Sequence, residues 1–391
     1  MKYNFDKPTN RWNTLSIKWD VEKNVLPMWI ADMDFETAPE IVEGFKKRIE
    51  EGIFGYNLIP DELYESYIYW WNKRYNFKME KDWIVFSTGV IPSLSSAIRR
   101  VTEIANNVVI MTPVYNIFFN SIINNGRKVL QNELIYENGK YKVDWDDLET
   151  KLSLEETSAL ILCNPHNPVG KIWSKEELDR IGKLCFKYNV VVISDEVHCD
   201  MTIPGKSYVP FASVSRENLD NSITLIAPTK CFNIAGIQSS VAVIANPKLK
   251  HLFERGLNTD ECAEANTLAA IAPQLAYYKS EQWIDELREY IFKNKEVVKE
   301  FVAKEIPDIT YIDSEALYLL WLDVSKVSTN GTLLRDFIKD KTGLFLSDGE
   351  EYGNGGLSFL RMNVATQTVN VIDGLNRLKK AIELFKEEQK R

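Results

Sequence analysis

Residues 159–170 read Ala-Leu-Ile-Leu-Cys-Asn-Pro-His-Asn-Pro-Val-Gly, a short apolar run followed by a turn rich in asparagine and proline. The run is apolar throughout instead of alternating, which is typical of a strand buried on both faces of a parallel sheet. Further strand candidates, with helical patterns between several of them, lie at 83–86, 108–111, 127–130, 190–193, 223–226 and 241–244. The alternation predicts an α/β fold with a mostly parallel, seven-stranded sheet sandwiched by helices.

The pattern changes after about residue 280. Apolar residues keep helical spacing from 284 to 301, which predicts a long helix that bridges two domains. The strand candidates 317–322 and 359–364 then mix with helical segments, as in a smaller α+β unit. The predicted domains are a large one over 46–285 and a small one formed by 1–45 together with 286–391.

Composition excludes several classes of protein. The 391 residues include 47 Lys and Arg against 56 Asp and Glu, a formal net charge of −9, and no basic face for nucleic acid stands out. No apolar run approaches the roughly 18 residues that a membrane span needs. The first residues, MKYNFDKPTNRW, lack the apolar core of a secretory signal. We therefore expect a cytoplasmic enzyme that binds neither nucleic acid nor membrane.

Cysteine and histidine usage argues against a metal centre. The five cysteines are irregularly spaced and form no CxxC pair, and the three histidines form no HExxH motif. A GxSxG motif, which marks many serine hydrolases, is also missing. We expect no metal, and the chemistry must come from other groups.

Three polar residues follow neighbouring predicted strands. Asn167 comes after the strand at 159–162, Asp195 ends the next apolar run, and Lys230 follows the strand at 223–226. Ligands of doubly wound sheets bind beyond the carboxyl ends of the strands, where these side chains should meet. Each residue alone has an ordinary explanation, such as a helix cap or a solvated surface lysine, but the three together predict a site.

Asn167, Asp195 and Lys230 carry the functional groups that an enzyme uses to bind pyridoxal 5'-phosphate. A lysine amine can form a Schiff base with an aldehyde and can move protons when it is free. A buried carboxylate can keep a pyridine nitrogen protonated, so that the ring withdraws electrons. An amide can donate a hydrogen bond to the phenolic oxygen of the same ring. The sequence thus predicts a pyridoxal phosphate enzyme.

Longer stretches of the chain resemble a known family. The sequence is similar to the fold-type I pyridoxal phosphate enzymes of the aspartate aminotransferase superfamily, and most to their cystathionine β-lyase or C–S β-lyase branch. The resemblance covers nearly the whole chain and implies the transferase-like fold of that group. The matching stretches are 29–35 (Trp-Ile-Ala-Asp-Met-Asp-Phe), 52–56 (Gly-Ile-Phe-Gly-Tyr), 112–115 (Thr-Pro-Val-Tyr), 164–170, 194–198 (Ser-Asp-Glu-Val-His) and 229–233 (Thr-Lys-Cys-Phe-Asn).

The resemblance implies a role for each residue around the ring. Lys230 would carry the cofactor and then take the proton from the substrate Cα, while Asp195 would pair with the pyridine nitrogen. Asn167 would bond the phenolic oxygen, and Tyr115 would stack on the ring and act in catalysis. His198, where many relatives have tyrosine, would lie near the same oxygen. A core histidine and a core aromatic are the alternatives for His198 and Tyr115.

The resemblance also implies how the anionic groups are bound. The phosphate would sit on the main-chain amides of Val90 and Ile91, where a helix begins. Tyr56 would reach the cofactor and substrate of a neighbouring subunit, which makes a homodimer with shared active sites. Arg361 would bind the substrate carboxylate, since an arginine in an apolar run is costly to bury without an anion. Asp32 would also contact the substrate.

Two positions depart from the family pattern. Many relatives have a serine three residues before the lysine and an arginine eight residues after it, but this chain has Ala227 and Gln238. Phosphate binding would therefore depend on Thr229 and on main-chain donors. The absence of an arginine at position 238 also argues against a simple aminotransferase.

The resulting functional prediction is a carbon–sulfur β-lyase. It would cleave cystathionine, cysteine or a related cysteine S-conjugate into a thiol, pyruvate and ammonia. An aminotransferase of L-amino acids is the alternative, since it uses the same residues. A non-catalytic regulator that binds pyridoxal phosphate is a second one, although a sensor needs no proton-transfer amine. Whether Lys230 or Tyr115 protonates the leaving sulfur stays open, as does the physiological thioether.

Overall fold

The computed structural model of the chain describes residues 2–390. The strands are β1 (Leu26–Pro27), β2 (Ile84–Ser87), β3 (Asn107–Thr112), β4 (Lys128–Glu133), β5 (Ile135–Glu137), β6 (Lys140–Lys142), β7 (Thr157–Cys163), β8 (Val191–Asp195), β9 (Ser222–Ile226), β10 (Ser240–Val243), β11 (Thr310–Tyr311), β12 (Leu319–Asp323), β13 (Leu344–Phe345), β14 (Ser347–Asp348) and β15 (Phe359–Asn363). The α-helices are α1 (Pro39–Glu50), α2 (Asp61–Tyr75), α3 (Val90–Val101), α4 (Ile117–Ile123), α5 (Trp145–Leu152), α6 (Lys175–Lys187), α7 (Arg216–Asp220), α8 (Pro247–Thr259), α9 (Ala272–Lys279), α10 (Glu281–Glu305), α11 (Gly331–Thr342) and α12 (Thr368–Gln389). Over this described range no helix is both long and apolar enough to cross a membrane.

A seven-stranded sheet forms the centre of the larger part of the chain. Its strand order is β2-β10-β9-β8-β7-β3-β4, and only β10 runs antiparallel to its neighbours. Every residue of β2, β3, β9 and β10 is buried, because helices cover both faces of the sheet. The predicted α/β fold with a mostly parallel, seven-stranded sheet is confirmed.

Local sequence signals account for where the helices begin. The side chain of Ser174 accepts a hydrogen bond from the Glu177 amide at 3.1 Å, and the Glu177 carboxylate accepts one from the Ser174 amide at 2.9 Å. This capping box starts α6 where the sequence predicts it. The helix predicted from about Pro92 begins two residues earlier, at Val90. Proline is tolerated there because the first-turn amides of a helix have no intrahelical partner.

A second, four-stranded antiparallel sheet has the order β11-β12-β15-β14. Helices α10, α11 and α12 pack around it, so this part of the chain is the smaller α+β unit that the sequence predicts. The predicted domain limits after residues 45 and 285 fall inside α1 and α10. The division into domains therefore stays a prediction, and its end residues Met1 and Arg391 lie outside the described range.

The segment 29–35 lies between the two sheets and is held through its main chain. Side chains of both units donate hydrogen bonds to its carbonyl groups, at distances of 2.6–3.1 Å. The pairs are Arg361 with Trp29, Asn363 with Ile30 and Asp32, Lys230 with Ala31, and Asn233 with Met33 and Phe35. This strip of backbone therefore forms part of the wall of the site described next.

Candidate active site

The carboxyl ends of β7, β8 and β9 meet at one edge of the central sheet, where a cavity of about 250 Å³ opens. The three strands run parallel and in sequence order, so the residues that follow them are brought together. Most of the predicted site residues line this cavity: Val90, Ile91, Tyr115, Asn167, Asp195, His198, Thr229 and Lys230.

Lys230 extends its amine to the N-terminal segment. Its Nζ donates a hydrogen bond to the Ala31 carbonyl at 2.9 Å. Burial lowers the pKa of the Lys230 amine, although the nearby carboxylates of Asp32 and Asp195 act in the opposite direction. A lowered pKa favours the neutral amine, which is the form that attacks an aldehyde or removes a proton.

Asp195 is a buried carboxylate with few partners. One of its oxygens accepts a hydrogen bond from the Val197 amide at 3.1 Å, and the other has no hydrogen-bond partner within residues 2–390. Burial raises the pKa of Asp195 to about 6, because an unpaired charge is poorly solvated there. A protonated ring nitrogen next to the free oxygen would supply the missing positive charge.

His198 is a neutral, incompletely bonded imidazole. Its side chain is buried, and Nδ1 has no hydrogen-bond partner in the described part of the chain. Burial, with the positive charges of Lys230 and Arg361, lowers the pKa of His198 to about 3. The ring packs edge-on against Tyr318, with 5.8 Å between ring centroids. An unpaired polar atom beside the cavity favours a ligand contact over a purely structural histidine.

Arg361 lies beside the cavity on β15 with only 4% of its surface exposed. Its guanidinium donates to the Trp29 carbonyl at 3.0 Å and to Asn167 Oδ1 at 3.3 Å, while Nε has no partner among residues 2–390. No carboxylate within that range lies within 4 Å of it, and its remaining contacts are the Ser347 hydroxyl at 3.5 Å and the Tyr352 ring at 4.9 Å. A buried guanidinium with this surrounding is suited to bind an anion.

The first turn of α3 forms the opposite end of the cavity. No side chain in the described structure caps this helix, so the amides of Val90 and Ile91 are free to bind an anion. Thr88 and Thr229 line the same region and bring two hydroxyl groups. A phosphate group fits these donors, and the cavity as a whole fits pyridoxal phosphate.

Tyr115 lines the cavity two residues before α4 begins. Burial raises the pKa of its phenol to about 12, so the hydroxyl keeps its proton near neutral pH. The ring contacts Phe118 edge-on, with centroids 5.7 Å apart, and is only partly buried. A flat aromatic side chain on the cavity wall is suited to stack on a cofactor ring.

Three predicted site residues do not line this cavity: Arg361, which lies beside it, and two others. The side chain of Tyr56 is fully exposed on the loop between α1 and α2. The Asp32 carboxylate points to Arg11 instead, with an Nη2–Oδ2 distance of 2.8 Å. Their roles, like the others assigned above, stay predictions.

The structure adds residues that sequence reasoning did not select. Thr88, Gln238 and the main chain of Ala31 also line the cavity. Thr88 lies two residues before the start of α3, so its position in a strand–turn–helix pattern is a signal that could have identified it. Ala31 acts through its carbonyl group, for which the amino-acid type carries no signal.

Comparisons with known proteins agree with this geometry. The family model of aminotransferase class I and II matches residues 23–377. Cystathionine beta-lyase PatB from Bacillus subtilis (strain 168) is 39% identical over 385 residues, which cover 97% of this chain and 100% of that protein. Cystalysin from Treponema denticola, whose crystal structure contains a pyridoxal 5'-phosphate cofactor, superposes with a TM-score of 0.95 at 33% identity and covers 98% of this chain and 99% of its own. The PLP-bound C-S lyase from Staphylococcus hominis gives a TM-score of 0.92 at 31% identity and covers 98% of both chains. The matched length and the shared fold show that this chain belongs to the aminotransferase class I and II family, with the fold type I of pyridoxal phosphate enzymes.

Proposed function

We propose that this protein is a pyridoxal 5'-phosphate-dependent carbon–sulfur β-lyase that cleaves cystathionine or a related cysteine S-conjugate. The observation that carries the proposal is the meeting of Lys230, Asp195 and Asn167 in one cavity beside the buried, uncompensated charge of Arg361. The activities of the relatives support the same class of reaction, since they are named cystathionine β-lyase and C–S lyase. The reaction consumes one water, which hydrolyses the eliminated product, and yields a thiol, pyruvate and ammonia.

The proposed binding roles follow from the hydrogen-bond and ion-pair partners that the side chains and main-chain amides around the cavity lack. The amine of Lys230 carries the cofactor, and the free oxygen of Asp195 pairs with the ring nitrogen. The amides of Val90 and Ile91 bind the phosphate, with the hydroxyl of Thr229 beside them. Arg361 offers its guanidinium to the substrate carboxylate and thereby orients the Cα–H bond toward Lys230.

The proton steps depend on groups of the chain. When bound, pyridoxal phosphate supplies an electron sink for the carbanion at the substrate Cα. Lys230, whose pKa is lowered by burial, removes the Cα proton as a general base. The leaving sulfur needs a proton, which Lys230 now carries and which the Tyr115 hydroxyl also offers. Both groups line the same cavity.

Transamination is the second candidate, because the matched family includes aminotransferases and uses the same residues. Incubation of the purified protein with cystathionine separates the two reactions. We expect pyruvate and free thiol in equal amounts without any added 2-oxo acid. A strict requirement for a 2-oxo acid acceptor, with no thiol released, would contradict the lyase and establish the aminotransferase.

Replacement of Lys230 tests the catalytic assignment. We expect Lys230→Ala to lose the visible absorbance of the lysine-bound cofactor and to reduce turnover by several orders of magnitude, because both the covalent link and the general base are gone. The control is Lys248→Ala, which removes an exposed lysine of α8 that does not line the cavity. Turnover that survives in Lys230→Ala would overturn the assignment.

We also propose a homodimer in the cytoplasm. The loop before α2 exposes the side chains of Ile53, Phe54, Tyr56 and Leu58. Contact of so many neighbouring apolar side chains with water is unfavourable and unusual for a monomer. A second copy of the chain would cover these side chains and bring Tyr56 toward the neighbouring active site. All five cysteines are unpaired thiols, which supports a reducing compartment.

A further inference from the structure

One main-chain carbonyl on the cavity wall accepts two side-chain hydrogen bonds. The carbonyl oxygen of Ala31 accepts from the Lys230 amine at 2.9 Å and from the Tyr318 hydroxyl at 3.4 Å. Ala31 belongs to the N-terminal segment, Lys230 follows β9, and Tyr318 directly precedes β12. The carbonyl is therefore a point at which three distant parts of the chain meet.

Tyr318 is held firmly in this position. Only 1% of its surface is exposed, and its ring packs edge-on against His198. Its own carbonyl accepts a hydrogen bond from the Val364 amide at 2.9 Å, which fixes the backbone to the end of β15. The bond to Ala31 is the one hydrogen bond that its hydroxyl forms within residues 2–390. A buried phenol keeps such a bond because an unpaired hydroxyl is costly.

We propose that the Ala31 carbonyl is the docking point of the Lys230 amine whenever that amine is free of the cofactor, and that Tyr318 is a positioning residue that holds this carbonyl. The inference rests on the proposed function, in which Lys230 alternates between carrying the cofactor and moving a proton. A base that is released during the reaction needs a fixed place close to its former position. The Ala31 carbonyl provides that place without adding a charge.

The shared acceptor also affects the protonation of the amine. An ammonium group gains more from a carbonyl partner than a neutral amine does, so a second donor on the same oxygen reduces this advantage. Tyr318 should therefore help to keep Lys230 neutral, in addition to the effect of burial. Its removal should raise the pKa of Lys230. The charged and titratable groups that face Lys230 are Asp32, Asp195, His198, Cys231 and Arg361, and all of them stay in place in the test.

The test is the substitution Tyr318→Phe in the full chain, which keeps the ring and removes the hydroxyl. Pyridoxal phosphate is added to the cofactor-free protein over a range of pH, and borohydride trapping followed by peptide mass spectrometry measures the rate of bond formation at Lys230. We expect the pH midpoint of this rate to rise by roughly half a unit, so that trapping below the midpoint slows about threefold. The acidic limb of the lyase pH profile should move in the same direction.

Tyr67→Phe is the matched control, since Tyr67 is also a fully buried tyrosine but packs against Trp71 and Tyr277, away from the cavity. Its midpoint should equal that of the unmodified protein. Replacement of Tyr318 by 3-fluorotyrosine, a stronger donor of nearly the same size, should lower the midpoint. An unchanged midpoint in both Tyr318 variants would overturn the inference, whereas failure to trap any cofactor on Lys230 in the unmodified protein would refute the proposed function itself.

Discussion

Individual charged residues around the cavity are buried without the partners that usually accompany them. Asp195 has one amide donor, and Arg361 is met by carbonyl, amide and aromatic groups instead of a carboxylate. Such burial destabilises the empty protein, because a charge in a poorly solvated place is unfavourable unless it is paired. The missing ion-pair partners also favour the binding of ligands with the opposite charge. The burial of these charges therefore lowers the stability of the cofactor-free protein while it strengthens ligand binding.

Asp195→Asn tests this opposition. In the native protein the pKa of Asp195 is about 6 and in the unfolded chain it is near its ordinary value of 3.8, so the folded state binds the proton more tightly. The stability of the cofactor-free protein therefore falls as pH rises from about 4 to about 6 and stays lower above that range. We expect Asp195→Asn to raise the free energy of unfolding by roughly 3 kcal/mol at pH 8 and to have little effect near pH 4.

Urea unfolding of both cofactor-free proteins at the two pH values measures this difference. Glu196, whose pKa burial raises to about 7, titrates in an overlapping range but is common to both proteins and cancels in the comparison. The same variant should bind pyridoxal phosphate more weakly, because the ring nitrogen loses its anionic partner. Equal destabilisation by Asp195→Asn at pH 4 and pH 8 would show that the carboxylate is not strained by burial.

At the scale of elements, the turn after β7 positions Asn167 by packing against the loop between β11 and β12. The Gly170 carbonyl at the end of this turn accepts hydrogen bonds from the amides of Glu315 and Ala316 at 2.9 and 3.0 Å. Gly170 has a φ of +75°, and a Cβ atom there would lie 2.4 Å from the Ser314 Cβ and 2.9 Å from the Ala316 oxygen. Only glycine allows both the backbone conformation and this close approach.

Gly170→Ala should therefore destabilise the protein by roughly 2–4 kcal/mol, from the left-handed backbone and the clash together. It should also weaken cofactor binding, because the turn that carries Asn167 must shift. Gly205→Ala is the control, since Gly205 has a similar φ of +80° but nothing within 4 Å of an added Cβ. Urea unfolding curves of the two variants separate the clash from the backbone strain. Equal losses in both would mean that the contact with Ser314 has no effect.

At the scale of the whole molecule, the exposed loop before α2 suggests that one chain is not the functional unit. Ile53, Phe54, Tyr56 and Leu58 have exposed fractions between 62% and 101%, although the segments on either side are helices packed on the core. Contiguous apolar side chains in water favour association. If the partner is a second copy, two-fold symmetry places each loop near the other subunit's site.

Hybrid dimers test whether Tyr56 acts across the interface. Tyr56→Ala and Lys230→Ala should each be nearly inactive alone. When the two variants are denatured together and refolded, a hybrid has one complete site if Tyr56 serves the neighbouring subunit, so activity should return to about a quarter of the native value. If Tyr56 serves its own subunit, no complete site forms and no activity returns. Each variant refolded alone is the control.

Sequence alone was sufficient for the central sheet and for the residues at its edge. Continuous apolar runs identify strands buried on both faces, and parallel strands in chain order bring their carboxyl ends together. Asn167, Asp195 and Lys230 therefore meet where the spacing of the strands predicts. The capping box at Ser174 is equally local, since its partners are three residues apart.

Tertiary structure alone decided which groups complete the site. The Asp32 side chain, predicted to contact substrate, pairs with Arg11, while the carbonyl of neighbouring Ala31 faces Lys230 and Tyr318. No residue type reveals a main-chain acceptor. Contacts between residues some 200 to 290 positions apart depend on how the two sheets pack against the N-terminal segment. Local sequence patterns therefore predict which residues stand at the strand ends. Only the tertiary fold brings the Ala31 carbonyl, on the opposite wall of the cavity, to the Lys230 amine.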